Sequence, residues 1–135
     1  FNGNLTTDIM SLANYGSAVF VLTKGPGATG TATITVESCD DTSATTSTAV
    51  AYNYAASTSG NTWGNITAAG AAGFTTTAGA NQCYMIEIRD DQLSGSDKYV
   101  RAVFTETAND PVDGAVISIG MNPKFPADPP KEMIT

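Results

Sequence analysis

A chain of 135 residues with 41% hydrophobic and only 14% charged residues is long enough for one folded domain and lacks the high charge of disordered chains. Its net charge of −7, with only six Lys and Arg residues, leaves no basic surface for nucleic acid or an anionic membrane. Its apolar runs are too short to cross a bilayer, and it has no histidine for the common catalytic triads or zinc sites. We therefore predict a protein that is not an enzyme and has no catalytic residues, cofactor or metal.

The first third of the chain predicts an arm followed by two strands. Residues 1–10, FNGNLTTDIM, are mostly polar but include Phe1, Leu5 and Ile9, so we predict an extended N-terminal arm. The segment NYGSAVFVLTKG has an apolar centre, and TATITVESCD alternates Ala32, Ile34 and other small or apolar residues with threonines, as a half-buried strand does. The short glycine-rich loop between these segments favours an antiparallel hairpin.

The middle of the chain is less regular. The segment AVAYNYAAS predicts one strand with Val50, Tyr52 and Tyr54 in step. The glycines of the next 25 residues interrupt any helical pattern, so we predict a long surface loop with a short strand from Phe74 to Thr76.

Three further strands complete the predicted domain. The segment CYMIEIRD places Tyr84, Ile86 and Ile88 on one face, KYVRAVFTET alternates in the same way, and AVISIGM is typical of a packed strand. Short strands separated by Gly, Asn, Asp and Pro turns predict an all-β fold, an antiparallel β-sandwich or flattened barrel over residues 11–121.

Two pairs of carboxylates and two cysteines are candidate sites. Asp40-Asp41 and Asp90-Asp91 follow strands, where Asp is favoured for turn hydrogen bonds, so we predict turns rather than catalytic or calcium sites. Cys39 and Cys83 lie in strand-like segments, and the sequence allows either one disulfide or two small thiols.

Trp63 lies in the polar segment GNTWGN. An exposed indole there would stack on a sugar or contact a partner, whereas a buried one would cap the sandwich. The sequence leaves both interpretations open. The tyrosines fall in or beside strands and are predicted to belong to the core or the sheet faces.

The C-terminal residues 122–135, NPKFPADPPKEMIT, contain four of the six prolines. Proline cannot donate to a sheet ladder, so we predict an extended C-terminal arm that begins after the last strand. Its apolar and proline residues predict contacts with a neighbouring subunit. The residues predicted to contact a partner are Phe1, Leu5, Trp63, Phe125, Pro126, Pro129, Met133 and Ile134.

Most of the chain resembles a known group of virion proteins. The stretches SLANYGSAVFVLTKGPGATGTATITVESCDDTS, AAGFTTTAGANQCYMIEIRDDQL and KYVRAVFTETANDPVDGAVISIGMNPKFP resemble the capsid decoration, or cement, proteins of tailed bacteriophages. The resemblance implies a β-rich structural protein on the outer surface of the virion capsid. It also implies the major capsid protein as partner and self-association as a homotrimer or a dimer.

Two alternatives stay open at this point. Small β-proteins of phage tails and head fibres look similar. A secreted or surface carbohydrate-binding β-sandwich would use Trp63 with Asn61 and Asn65 on a sugar.

Overall fold

The computed structural model describes residues 3–26, 30–108 and 114–125. These residues form strands and one short 3₁₀ helix, so the predicted all-β sandwich is confirmed. In the described ranges no helix has the length and apolar character needed to span a membrane. The strands are β1 (Leu5–Thr6), β2 (Met10–Ser11), β3 (Tyr15–Lys24), β4 (Thr31–Cys39), β5 (Ser47–Val50), β6 (Tyr52–Ser57), β7 (Thr67–Ala69), β8 (Phe74–Thr75), β9 (Cys83–Arg89), β10 (Tyr99–Ala108) and β11 (Gly114–Pro123), with the 3₁₀ helix at Asp90–Gln92.

The strands form two antiparallel sheets. Sheet A has six strands in the order β1-β10-β4-β5, with β2 also pairing β10 and β8 also pairing β4. Sheet B has five strands in the order β11-β3-β9-β6-β7. The long strands β10 and β4 lie at the centre of sheet A, and β3 and β9 lie near the centre of sheet B. Each sheet therefore presents one face to the other and one face outward.

The core lies between the two inward faces, as the alternation along the strands predicts. Sheet B contributes the buried side chains of Phe20 and Ile86, and sheet A contributes Ile34, Val36 and Phe104. Each is at most 1% exposed, and burying such a side chain stabilises the fold by about 1.5–3 kcal/mol. The predicted alternation along β4, β9 and β10 is confirmed.

The predicted hairpin between β3 and β4 is wrong. β3 pairs with β9 and β11 in sheet B, whereas β4 pairs with β10, β5 and β8 in sheet A. Both strands have an apolar face, with Phe20 and Leu22 on one and Ile34 on the other. Packing these faces against each other buries both, so the loop crosses between the sheets instead of joining neighbours.

The predicted single strand over AVAYNYAAS is also wrong, because the chain changes sheets within it. Val50 ends β5 in sheet A, and Tyr52 begins β6 in sheet B. Both side chains are buried, so the two strands point apolar residues into the same core from opposite sides. The hydroxyl of Tyr52 donates to the carbonyl of Ile34 at 2.5 Å, which holds this crossing against β4.

The predicted long loop contains two short strands, β7 and β8. Only β8 was expected, and it adds to sheet A beside β4. The rings of Phe74 and Tyr54 stack with centroids 3.7 Å apart. Gly73 precedes β8 with φ +74°, and a Cβ there would lie 1.9 Å from the Ile34 carbonyl oxygen. Glycine therefore allows this segment to approach β4 closely.

The terminal segments also differ from the predicted arms where they are described. Leu5 pairs with Phe104, and the backbone N–H of Thr7 donates to Ala102 at 3.0 Å. The described N-terminal residues therefore form an edge of sheet A rather than a free arm. At the other end, β11 continues through Pro123, which ends the edge strand where a missing N–H is tolerated.

A buried lysine ties the ends of two loops together. The Nζ of Lys24 donates to the carbonyl oxygens of Gly30 at 3.0 Å and Thr77 at 2.8 Å, and to Oε1 of Gln82 at 3.2 Å. Tyr84 donates to the same Oε1 at 2.9 Å. Lys24 is only 3% exposed, and burial lowers its pKa. The partners are neutral oxygens, so this cluster satisfies loop carbonyls rather than pairing charges.

Candidate functional site

The outward face of sheet B carries a continuous apolar row. Strand pairing places Ile117 beside Val21, Val21 beside Met85, and Met85 beside Ala55, so the row crosses β11, β3, β9 and β6. Ile117 is 56% exposed and Met85 is 38% exposed. At ~4.8 Å between strands, the row is about 14 Å wide. Solvent-facing strand positions are usually polar, so these side chains are exceptions.

A second row runs parallel to the first and widens the apolar area. Ile119 lies beside Val19, which lies beside Glu87, and Met121 pairs with Ser17 one step further. Ile119 and Met121 are 42% and 44% exposed. We use the name apolar face for the six larger side chains of these rows. They are Val19, Val21, Met85, Ile117, Ile119 and Met121.

The charged residues of this surface lie at its border. Glu87 and Arg89 follow Met85 on the same side of β9. Arg89 donates from Nε to Asp91 at 3.1 Å, and both side chains are largely exposed. An apolar centre with charged residues at its margin is the usual composition of a protein interface.

The outward face of sheet A has the opposite character. Thr33 and Thr75 share a hydrogen bond between hydroxyls at 2.9 Å, and Arg101 pairs with Glu37 at 2.7 Å. The other outward residues of β4 include further threonines at positions 31 and 35. This face satisfies its polar groups internally and with solvent. The two outward faces of the sandwich are therefore chemically different.

A shallow groove extends the apolar face toward β6. Ile66 lies at its border and is 76% exposed, the highest value among the large apolar side chains of the described residues. The groove is lined by Asn53, Tyr54, Ala55, Ile66, Met85 and Glu87.

The strand β11 forms one edge of sheet B. Its sequence, GAVISIGMNP, contains no charged residue, and among the described residues it pairs only with β3. The opposite edge, β7, has three residues, whereas β11 has ten. Edges are usually protected by shortness, charge, proline or a bulge. Here Pro123 stands only at the end, so most of β11 lacks such protection.

The chain after β11 is held on its own domain as far as it is described. Lys124 donates from Nζ to Asp90 at 2.7 Å and to the Leu12 carbonyl at 3.1 Å. The hydrogen bond from Lys124 lowers the pKa of the Asp90 carboxyl. Phe125 follows, 67% exposed, beside an open hollow lined by Asn14, Tyr15, Pro123 and Phe125 itself. The last described residue, Phe125, thus lies beside Tyr15.

The predicted partner contacts do not form one cluster. Leu5 is 37% exposed on the edge of sheet A, and Trp63 is 48% exposed in the loop between β6 and β7. Phe125 lies beyond the end of β11. The remaining predicted contacts, Phe1, Pro126, Pro129, Met133 and Ile134, lie outside the described residues.

The two carboxylate pairs have different roles. Asp90 and Asp91 begin the 3₁₀ helix and form ion pairs with Lys124 and Arg89, whereas the first pair takes part in a turn. Asp41 accepts hydrogen bonds from Thr45 at 2.8 Å and from the N–H of Ser43 at 2.8 Å, and the Thr45 hydrogen bond lowers its pKa. Asp40 accepts from the N–H of Thr46 at 2.9 Å. Across residues 3–26, 30–108 and 114–125, no group of three or more Cys, Asp and Glu side chains is placed to hold a metal ion. Asp40 and Asp41 therefore stabilise their turn.

Both cysteines are free thiols. Cys39 is buried in sheet A, and Cys83 is half-buried on the outward side of β9 in sheet B. Burial raises the pKa of each thiol. The two thiolate fractions are therefore small near neutral pH, which makes both side chains weak nucleophiles and weak metal ligands.

The apolar face was not predicted from the sequence. The segment AVISIGM predicts a packed strand, but Ile117, Ile119 and Met121 are exposed on one side of β11. One sequence signal was available, because β11 is apolar at both even and odd positions, including Val116. Such a strand needs cover on both faces, and one domain of this size provides it on only one.

Comparisons with protein-family models, curated proteins and solved structures find no match to this chain.

Proposed function

We propose that this protein is a non-enzymatic structural protein of a phage virion. It binds the outer surface of the capsid and stabilises contacts between major capsid proteins. The observation that supports this proposal is the difference between the two outward faces of the sandwich. The apolar face on sheet B attaches to a protein surface, and the threonine-rich face of sheet A is turned to solvent.

The exposed side chains of the apolar face supply the attachment energy. Four of these side chains are between 38% and 56% exposed, so each has apolar area left to bury. They are Met85, Ile117, Ile119 and Met121. Removing such area from water stabilises a contact by ~25 cal/mol per Å². Association entropy cancels much of this gain in a single contact. Many copies on one lattice would make attachment strong through avidity.

The chain's charge is compatible with this function. The net charge of −7 gives the free copies mutual repulsion, which keeps them soluble before attachment. The apolar face itself contributes little to that charge, since Glu87 and Arg89 at its border have opposite signs. Contact through this face therefore does not bring like charges together.

A charge placed on the apolar face tests the proposal. In a co-sedimentation assay with capsids of the encoding phage, we expect Met85→Lys to weaken binding at least tenfold, about 1.4 kcal/mol, because the contact would bury an unpaired ammonium. The matched control is Thr105→Lys, which adds the same charge to an exposed strand position of sheet A. Equal binding of the two variants would refute attachment through sheet B.

The predicted C-terminal arm requires a separate test. Truncation after Phe125 removes Pro126, Pro129, Met133 and Ile134 while it keeps β11 and the Lys124–Asp90 contact. We expect the truncated protein to melt at the same temperature as the full chain but to occupy fewer capsid sites. Full occupancy by the truncated protein would show that these residues do not contact a neighbour.

A second function is favoured by the position of Trp63. Its indole is 48% exposed, and Asn61 and Asn65 beside it are also exposed. An exposed indole with neighbouring amides is suited to stacking on a sugar ring. Binding on a glycan array that Trp63→Ala abolishes would support a carbohydrate-binding module.

Binding to assembled tails or head fibres, and not to capsids, would place the protein elsewhere on the virion.

A further inference from the structure

Among the described residues only β3 pairs with β11, and the other edge of β11 has the chemistry of a strand that pairs with another strand. In an antiparallel ladder, alternate residues direct their N–H and C=O groups to opposite sides. The ladder with β3 is in unbroken register from Gly114 to Met121, so it uses one set of these groups. Within the described residues, the other set has no strand opposite it. Nothing in the side chains from 114 to 121 prevents the approach of a second strand.

We infer that this edge pairs with β11 of a second copy of the chain, antiparallel, about a two-fold axis at Ser118. In this register, Ile117 of each copy lies opposite the partner's Ile119. Val116 lies opposite the partner's Gly120, and Ala115 lies opposite the partner's Met121. The strand is therefore complementary to itself, because at two of these three positions a larger side chain meets a smaller one.

The size of the contact is adequate for a specific dimer. Residues 114–122 of the two copies overlap, so about nine pairs of residues lie opposite each other over ~30 Å. These pairs supply about eight to ten backbone hydrogen bonds, similar to the ~10 direct hydrogen bonds of a typical interface.

The charge distribution also favours a second copy at this edge. The chain carries a net charge of −7, so most contacts between copies would be opposed by repulsion. Strand β11 carries no charge, and its pairing partner β3 has one charged residue, Lys24, which is buried. Contact at this edge therefore avoids the repulsion. Two sheets of five strands would join into one sheet of ten, and the two apolar faces would become continuous.

This inference is independent of the proposed capsid attachment, because it concerns a contact between copies in solution. Capsid binding through the apolar face would still be available to the dimer. A failure of one proposal therefore leaves the other intact. A strand from another protein adding to the same edge is the competing occupant.

Sedimentation equilibrium of the full chain tests the inference. We expect a concentration-dependent dimer, and we expect Ser118→Lys to raise its dissociation constant at least tenfold, because the two-fold axis would place like charges opposite each other. Ser118 is exposed at the edge, so the domain should keep its melting temperature. The control, Ser96→Lys, adds the same charge in an exposed loop and should dimerise like the wild type.

A cross-linking experiment covers the case in which Ser118→Lys fails to fold. In a background with Cys39→Ser and Cys83→Ser, Ser118→Cys should form a disulfide-linked dimer under mild oxidation, whereas Ser96→Cys should not. A wild-type chain that stays monomeric at high concentration would overturn the inference. An oligomer unaffected by Ser118→Lys, or equal cross-linking by both cysteine variants, would also overturn it.

Discussion

The substitution Lys24→Met tests whether the buried ammonium stabilises the domain. The methionine keeps an unbranched chain in the core and removes the three hydrogen bonds from Nζ. Gln82 retains the hydroxyl of Tyr84 as a donor. The carbonyls of Gly30 and Thr77 lose the ammonium donor.

The magnitude follows from these two carbonyls. The Gly30 contact is buried and the Thr77 contact is partly buried. A buried acceptor without a donor costs about 1–3 kcal/mol, and the partly buried one costs less because water reaches it. Removing a buried charge offsets part of this loss. We expect Lys24→Met to lower the free energy of unfolding by about 2 kcal/mol.

Urea denaturation followed by circular dichroism measures this change. The control is Lys98→Met, which removes an exposed lysine and should change the free energy of unfolding by less than about 0.5 kcal/mol. If Lys24→Met were as stable as the wild type, the free-energy cost of burying the ammonium would equal the free energy gained from its hydrogen bonds. Our account of the cluster would then be refuted.

The lowered pKa of Lys24 also predicts a pH dependence. Between the folded pKa and the unfolded value of about 10.4, the folded protein binds fewer protons than the unfolded protein. This group therefore makes the domain more stable as pH rises. The cost of burying the charged ammonium is fully present only at lower pH. As pH rises toward the unfolded pKa, the stability of wild type relative to Lys24→Met should therefore increase. A constant or falling difference would contradict the burial effect.

Three further changes test the packing of individual residues. Gly73→Ala should lower stability by more than about 2 kcal/mol, measured by urea denaturation, because φ is positive and the new Cβ would meet the Ile34 carbonyl; an unchanged midpoint would contradict the close approach. Tyr52→Phe should cost about 0.5–1.5 kcal/mol in the same assay through loss of the hydrogen bond to Ile34, whereas a neutral change would mean that the bond adds nothing. In native protein, a maleimide followed by mass spectrometry should label Cys83 faster than Cys39, which is buried, and equal rates would indicate opening of sheet A.

The sequence by itself determined the class of structure and the faces of its strands. Alternation along β4, β9 and β10 identified the buried side chains, such as Ile34 and Ile86, because a strand's side chains point to opposite faces at every step. The turn at Asp40 and Asp41 was equally local, since it depends on hydrogen bonds from nearby backbone N–H groups.

Only the tertiary structure decided which strands are neighbours and which faces stay exposed. The chain crosses between sheets after β3 and again at Ala51, and neither crossing has a local signal, because a period of two fixes a face but not a partner. The exposure of Ile117 depends on β11 lying at an edge, a position set by all the other pairings. Lys24 likewise became a core residue because a loop distant in sequence supplies two of its three acceptors, Thr77 and Gln82.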